Sequence, residues 1–97
     1  MKFVISHEAT NDLKSIWLYT FEFWSQSQAD RYLNLIFDEI ESITQNPKIG
    51  KDFSKIRKGY FRVRVKSHFI FYRIYEQEIE VIRILHQSMD IETHLIE

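Results

Sequence analysis

The groups in this 97-residue chain best suited to chemistry gather near its end, in the stretch "VIRILHQSMD" from Val81 to Asp90. An apolar run there carries Arg83 in its middle and His86 at its exit. Histidine titrates near neutral pH and arginine supplies fixed positive charge. His86 with Arg83 and Arg73 therefore holds the ingredients of a ribonuclease, in which the imidazole takes a proton from a ribose 2′-hydroxyl and a guanidinium stabilises the charge developing on phosphorus. The other reading of the same histidine is a hydrogen-bonded core residue on an isoleucine-lined face. His86, Asp90 and His94 are spaced by four, as metal ligands on a helix are, but His86 ends a strand, so that spacing does not run through the set, and no cysteine adds to it. No metal site and no cofactor are expected. A G-x-S-x-G nucleophile elbow is absent, and the two glycines, Gly50 and Gly59, form no phosphate loop.

A second feature is the distribution of charge. Residues 1 to 47 hold three Lys/Arg and seven Asp/Glu, residues 48 to 73 hold nine and one, and residues 74 to 97 hold one and six. A basic middle between acidic ends points to an anionic partner for one surface, because clustered charge steers association over roughly a Debye length, ~8 Å at physiological salt. The same composition also fits a solvated basic loop.

These residues are positioned by elements legible in the hydrophobic spacing. "KFVIS", residues 2 to 6, reads as a short strand. Ala9, Leu13, Ile16, Trp17, Thr20 and Trp24 then recur at three- and four-residue intervals, with Ser6 as N-cap, which predicts a helix over about residues 7 to 24. Ser25 and Gln28 are spaced as a capping box for a second helix, whose apolar stripe runs through Ala29, Tyr32, Leu33, Ile36, Phe37, Ile40 and Ile43 and stops before Asn46-Pro47. So short a connection makes the two helices an antiparallel hairpin. Residues 47 to 60 contain the sole proline and both glycines, and read as a connector with at most a turn of helix. The period then becomes two in "FRVRVK", "HFIFYRIY" (68 to 75) and "IEVIRILH" (79 to 86). The expectation is one α+β domain over residues 1–97: an N-terminal strand and a helical hairpin packed on a mainly antiparallel four-stranded sheet.

Strand alternation assigns faces. Ile70, Tyr72 and Ile74 share one side of their strand, with Phe69, Phe71, Arg73 and Tyr75 on the other. On the last strand Ile82, Ile84 and His86 oppose Val81, Arg83 and Leu85. With the hairpin on the isoleucine face, the opposite face carries Arg62, Arg64, Arg73 and Arg83 among Phe69, Phe71 and Tyr75, a surface suited to nucleic acid or to an acidic protein segment. These arginines could also simply edge a sheet in water. The parity separates Arg83 from His86 unless a bulge turns the strand. Trp17, Tyr19, Phe21, Phe23 and Trp24 spread around the first helix and cannot all face one sheet. Leu13, Ile16 and Trp17 are expected in the core, and Tyr19, Phe21 and Phe23 at an interface.

With 44% hydrophobic and 15% aromatic residues the chain can build a core, and the absence of cysteine suits a reducing compartment. The early Glu8 and Asp12 leave no room for a signal peptide, and no apolar run approaches the ~20 residues of a membrane span, so a cytoplasmic protein is expected.

Four stretches in order resemble the ParE-type toxins of the RelE/ParE superfamily, the toxic halves of bacterial type II toxin-antitoxin pairs. They are "SHEATNDLKSIWLY", "QADRYLNLIFDEIESITQNPKIGK" with its Pro47-x-x-Gly50, "IRKGYFRVRVKSHFIFYRI" with Arg57, Gly59, Arg62, His68 and Tyr72, and "VIRILHQSMD". The resemblance implies the strand-helix-helix-three-strand plan, a cytoplasmic location, a ParD-like antitoxin whose C-terminal segment wraps the toxin in a hetero-oligomer, and, for the ParE branch, growth arrest through poisoning of DNA gyrase by binding rather than catalysis. The branch resembling RelE and YoeB instead cuts mRNA on the ribosome, using basic residues with a histidine or tyrosine near the end of the last strand. His86 stands in a comparable place here, but Gln87 follows where a tyrosine is wanted, and Phe69 follows His68 where YoeB offers an arginine.

Overall fold

Each long helix begins where a serine side chain can accept one of the helix's free backbone donors. In the computed structural model of the chain, which describes residues 1–95, Ser6 Oγ accepts the Ala9 N–H at 3.0 Å and Ser25 Oγ accepts the Gln28 N–H at 3.1 Å. Between these caps and the residues before Pro47 lie α1 (His7–Phe23) and α2 (Gln26–Gln45), the expected hairpin. Strand β1 (Lys2–Ile5) precedes it; β2 (Lys51–Asp52), β3 (Tyr60–Val65), β4 (His68–Tyr75), β5 (Glu78–His86) and a short α3 (Ile91–Leu95) follow.

The sheet has five strands in the order β1-β5-β4-β3-β2, with β1 parallel to β5 and all other pairs antiparallel. The expected count was four. The additional strand, β2, is two residues inside the connector, too short for a period-two pattern to announce it. The connector is held by Tyr72, whose buried hydroxyl accepts the Gly50 N–H at 3.0 Å and donates to the Pro47 carbonyl at 2.9 Å. A Cβ on Gly50 would lie 2.7 Å from that hydroxyl and 2.9 Å from the Arg62 carbonyl oxygen, so this close approach requires glycine. The β4–β5 hairpin turns on Glu76 and Gln77, both in the left-handed region (φ 50° and 64°), as a two-residue turn between twisted strands demands.

Two cores sandwich the sheet. On one side Leu13 and Ile16 of α1 and Ile36, Ile40 and Ile43 of α2 meet Ile70, Tyr72, Ile79, Val81 and Ile84. On the other, Tyr60, Phe71, Leu85 and Leu95 form a smaller cluster packed by Phe53, Ile56, Phe69, Ile82 and Ile91. The far face is therefore not open along its length, and Phe71, expected on an exposed surface, is fully buried beneath the connector and α3.

Strand parity also needs one correction. Phe71 pairs with Arg83 while Tyr72 pairs with Val81, leaving Ile82 as the extra residue of a β-bulge. Val81 thereby joins the hairpin core and Ile82 the far cluster, the reverse of strict alternation. The bulge is clamped from the β1–α1 junction: Ser6 N–H donates to the Val81 carbonyl at 3.0 Å and Ser6 Oγ to the Ile82 carbonyl at 2.7 Å. Among the described residues no helix is long and apolar enough to cross a membrane.

Candidate functional site

Arg83 follows the bulge in β5 and lies opposite Phe71. Its guanidinium, 20% exposed, turns to α1 and donates from Nε and Nη2 to the two carboxylate oxygens of Asp12, at 2.8 and 2.9 Å. Asp12 Oδ2 also accepts the Ile84 N–H at 2.9 Å, satisfying the edge of β5 where β1 has ended. Arg83 therefore does not face outward on a basic surface. Arg73 is ion-paired with Glu80 across the β4–β5 pair and lies over the Tyr75 ring. It also stands five residues, about 17 Å at strand rise, along β4 from His68, the cross-strand partner of His86. The trio His86, Arg83 and Arg73 is not assembled into one site.

His86 lies instead in a cleft of about 560 Å³ between the end of α1 and the ends of β4 and β5. The cleft is lined by Tyr19, Thr20 and Trp24 on one side and by Tyr32, His68 and His86 on the other. His68 and His86 meet edge to face with ring centroids 5.1 Å apart. The Tyr32 hydroxyl is 2.5 Å from His68 Nδ1 and 3.1 Å from the Val65 carbonyl oxygen. Burial, reinforced by the neighbouring His86, pushes His68 down to about 4, with Asp12 pulling weakly the other way. His68 is thus neutral at physiological pH. His86 is half-buried rather than a core residue, and its Nδ1 accepts the Ser88 N–H at 3.1 Å beside the Ser88 hydroxyl at 2.7 Å. His86, Asp90 and His94 do not converge, and no group of three metal-ligating side chains occurs among the described residues.

On the far face Arg62 and Arg64 point away from the hairpin, as the alternation requires. Arg62 is held between two rings, 4.5 Å from the Phe53 centroid and 4.2 Å from that of Phe69. Arg64 lies over the other part of Phe69 at 5.7 Å, fixed by the Lys66 carbonyl and Gln87. Burial and the adjacent Arg64 both lower the Arg62 pKa.

The helical hairpin presents the largest apolar exposure. Tyr19, Phe21 and Phe23 are exposed, Phe23 by 66%, and Trp24 by 76%. Trp24 was expected within the apolar stripe, but it is the C-cap of α1, beyond the sheet's reach. Trp17 is not a core residue either. It flanks the stripe, stacks on Phe21, and donates from its indole to Asp30 of α2 at 2.9 Å. Two aromatic rows result, Trp17–Phe21 and Tyr19–Phe23. The first borders an apolar groove of about 550 Å³ between the helices, lined by Leu13, Trp17, Leu18, Leu33 and Phe37; the second borders the histidine cleft.

Residues 3–91, nearly the whole chain, match the family described as the ParE toxin of the type II toxin-antitoxin system parDE. The chain belongs to the ParE toxin family. Toxin ParE1 of Mycobacterium tuberculosis is 37% identical over 95 residues, 97% of each chain. Toxin ParE1 of Caulobacter vibrioides is 38% identical over 91 residues, 94% of each. Among solved structures, a chain of the chromosomal ParDE system of P. aeruginosa superposes with a TM-score of 0.77 at 16% identity, covering 89% of this chain and 95% of that one. A YoeB/ParE toxin from Agrobacterium tumefaciens gives 0.61 at 22%, covering 89% and 98%. At those identities the likeness establishes the fold, which is α+β and of the ParE type.

Asp12, Tyr32 and His68 also organise this ParE fold, although the sequence pattern assigned none of them a role in the site. His68 was legible in principle, since it shares parity with Ile70, Tyr72 and Ile74 and so had to point toward the hairpin. Asp12 left a fainter trace, as an acid beside Leu13 on the edge of the α1 stripe. Nothing local linked it to a guanidinium 71 residues away.

Proposed function

We propose that this ParE-family chain is a cytoplasmic growth-arresting toxin that acts by binding and poisoning DNA gyrase, and that a ParD-like antitoxin neutralises it by covering the helical hairpin. The observation that carries this reading is the apolar surface of α1. Tyr19, Phe21 and Phe23 and the interhelical groove form the kind of rigid aromatic surface on which partner segments anchor, and water alone does not favour leaving it open. Action by binding is supported by the arginines nominated for catalysis, which are occupied by Asp12 and Glu80. Induction of the chain alone in bacteria, with DNA breaks, supercoiling and protein synthesis followed in parallel, tests it. Breaks and lost supercoiling before any fall in translation are expected; arrested translation with intact, normally supercoiled DNA sinks it.

One observation favours a second reading, a ribosome-dependent endoribonuclease: the His68–His86 pair lines a cleft with hydroxyl groups at hand. In that case His86→Ala abolishes toxicity while the protein stays folded; undiminished toxicity of His86→Ala removes the nuclease.

A further inference from the structure

The hairpin and the cleft leave one charged surface without a role. Lys51 of β2 is the direct cross-strand partner of Arg62 on β3, and Arg64 lies two residues further along the same strand, so the three cations share one face of the sheet. Successive same-face positions are about 7 Å apart. Lys66 follows at the β3–β4 turn. No carboxylate lies within ion-pair distance of any of these four among the described residues, whereas Arg73 and Arg83 each have one. The two arginines are also held in place: Arg62 by Phe53 and Phe69, Arg64 by Phe69, a carbonyl and an amide. Stacked guanidiniums lose little conformational freedom when an anion arrives.

We infer that this row binds the phosphodiester backbone of duplex DNA directly, independently of gyrase. Two features favour that ligand. A single strand is normally gripped by open aromatic faces on which bases stack, but here the rings of Phe53 and Phe69 carry guanidinium groups, and Tyr60 and Phe71 are buried. An acidic peptide would need apolar anchors between its charges, and the apolar grooves of this molecule lie at the hairpin, across the sheet. What remains is a line of cations, its two arginines held in place, which matches a regularly charged, unreactive backbone. The acidic composition of the hairpin segment, seven Asp/Glu against three Lys/Arg in residues 1 to 47, turns the basic side toward a polyanion and the hairpin away from it.

Fluorescence anisotropy of the full chain with a labelled short duplex of mixed sequence tests the inference, with affinity followed against salt and no gyrase present. Three phosphate contacts give a slope of log K on log salt of about −2.7, at about −0.9 per contact. Arg62→Gln/Arg64→Gln, checked for an unchanged circular dichroism spectrum, is expected to reduce the steepness by about 1.8. Lys2→Gln, on the opposite edge of the sheet, should leave it unchanged. The inference is overturned by no binding at about 50 mM salt, by a slope the double variant does not alter, or by tighter binding of single-stranded RNA or of an acidic peptide than of the duplex. Any of these leaves gyrase poisoning intact, since gyrase is not in the assay.

Discussion

Replacing Asp12 with alanine is expected to be among the most destabilising single changes on the surface of α1. The carboxylate is 14% exposed and accepts three hydrogen bonds, two from the Arg83 guanidinium and one from the Ile84 N–H. Taking one partner from a buried pair costs about 3–5 kcal/mol. This pair retains some solvent contact, which argues for the lower end, about 3 kcal/mol. For a chain of this size that lowers Tm by about 12–24 °C. Asp12→Asn keeps an acceptor for the Ile84 N–H and should recover about 1 kcal/mol of the loss. The decisive comparison is the double-mutant cycle with Arg83→Met, measured by chemical denaturation. Removing both charges should cost less than Asp12→Ala alone, because no guanidinium is then held in a site built around a carboxylate. An Asp12→Ala cost below about 1 kcal/mol, or effects of the two sites that simply add, would refute the view that this pair locks α1 to the bulge.

Four other outcomes are expected. Tyr72→Phe should cost about 1–3 kcal/mol in denaturation, since it takes a partner from both the Gly50 N–H and the Pro47 carbonyl. Because the fold holds His68 neutral down to about pH 4, against about 6.5 when unfolded, its contribution is complete above pH 6.5 and is lost as pH falls toward 4. Partial solvent access reduces this to about 1–2 kcal/mol, and His68→Gln should flatten stability measured between pH 7 and pH 4. Glu76→Asn/Gln77→Gly should raise stability by about 1 kcal/mol, because both positions have positive φ; a thermal melt reads it. Phe23→Ala should change stability by less than about 0.5 kcal/mol yet weaken capture of a ParD-like antitoxin at least ~10-fold by calorimetry.

The helices were legible because their signals are local: Ser6 and Ser25 cap, Pro47 stops, and the stripes of Leu13, Ile16, Ile36 and Ile40 repeat within one turn. The three long strands were legible for the same reason. What escaped depends on contacts far apart in the chain. The bulge at Ile82 has no residue signature of its own; Ser6 reaches it from the β1–α1 junction, and it exchanges Val81 and Ile82 between the two faces. Trp17 and Trp24 fit the helical spacing but lie at its margin and its end, where a sheet of this width no longer covers them. Of the basic surface, Arg62 and Arg64 sit where alternation placed them, while Arg73 is paired with Glu80 across the β4–β5 hairpin and Arg83 with Asp12, 71 residues away.

The parallel pairing of β1 with β5 has a consequence for biosynthesis. Lys2 lies opposite Glu78 and Ile5 opposite Val81, so β1 waits for β5, and α1 cannot be locked until Arg83 has left the ribosome. Local helices can form early, but the sheet closes only once β5 has emerged. A nascent chain without β5 lacks the strand that joins β1 to the rest of the sheet. Any partner translated just beforehand is therefore already present when the folded surface first exists.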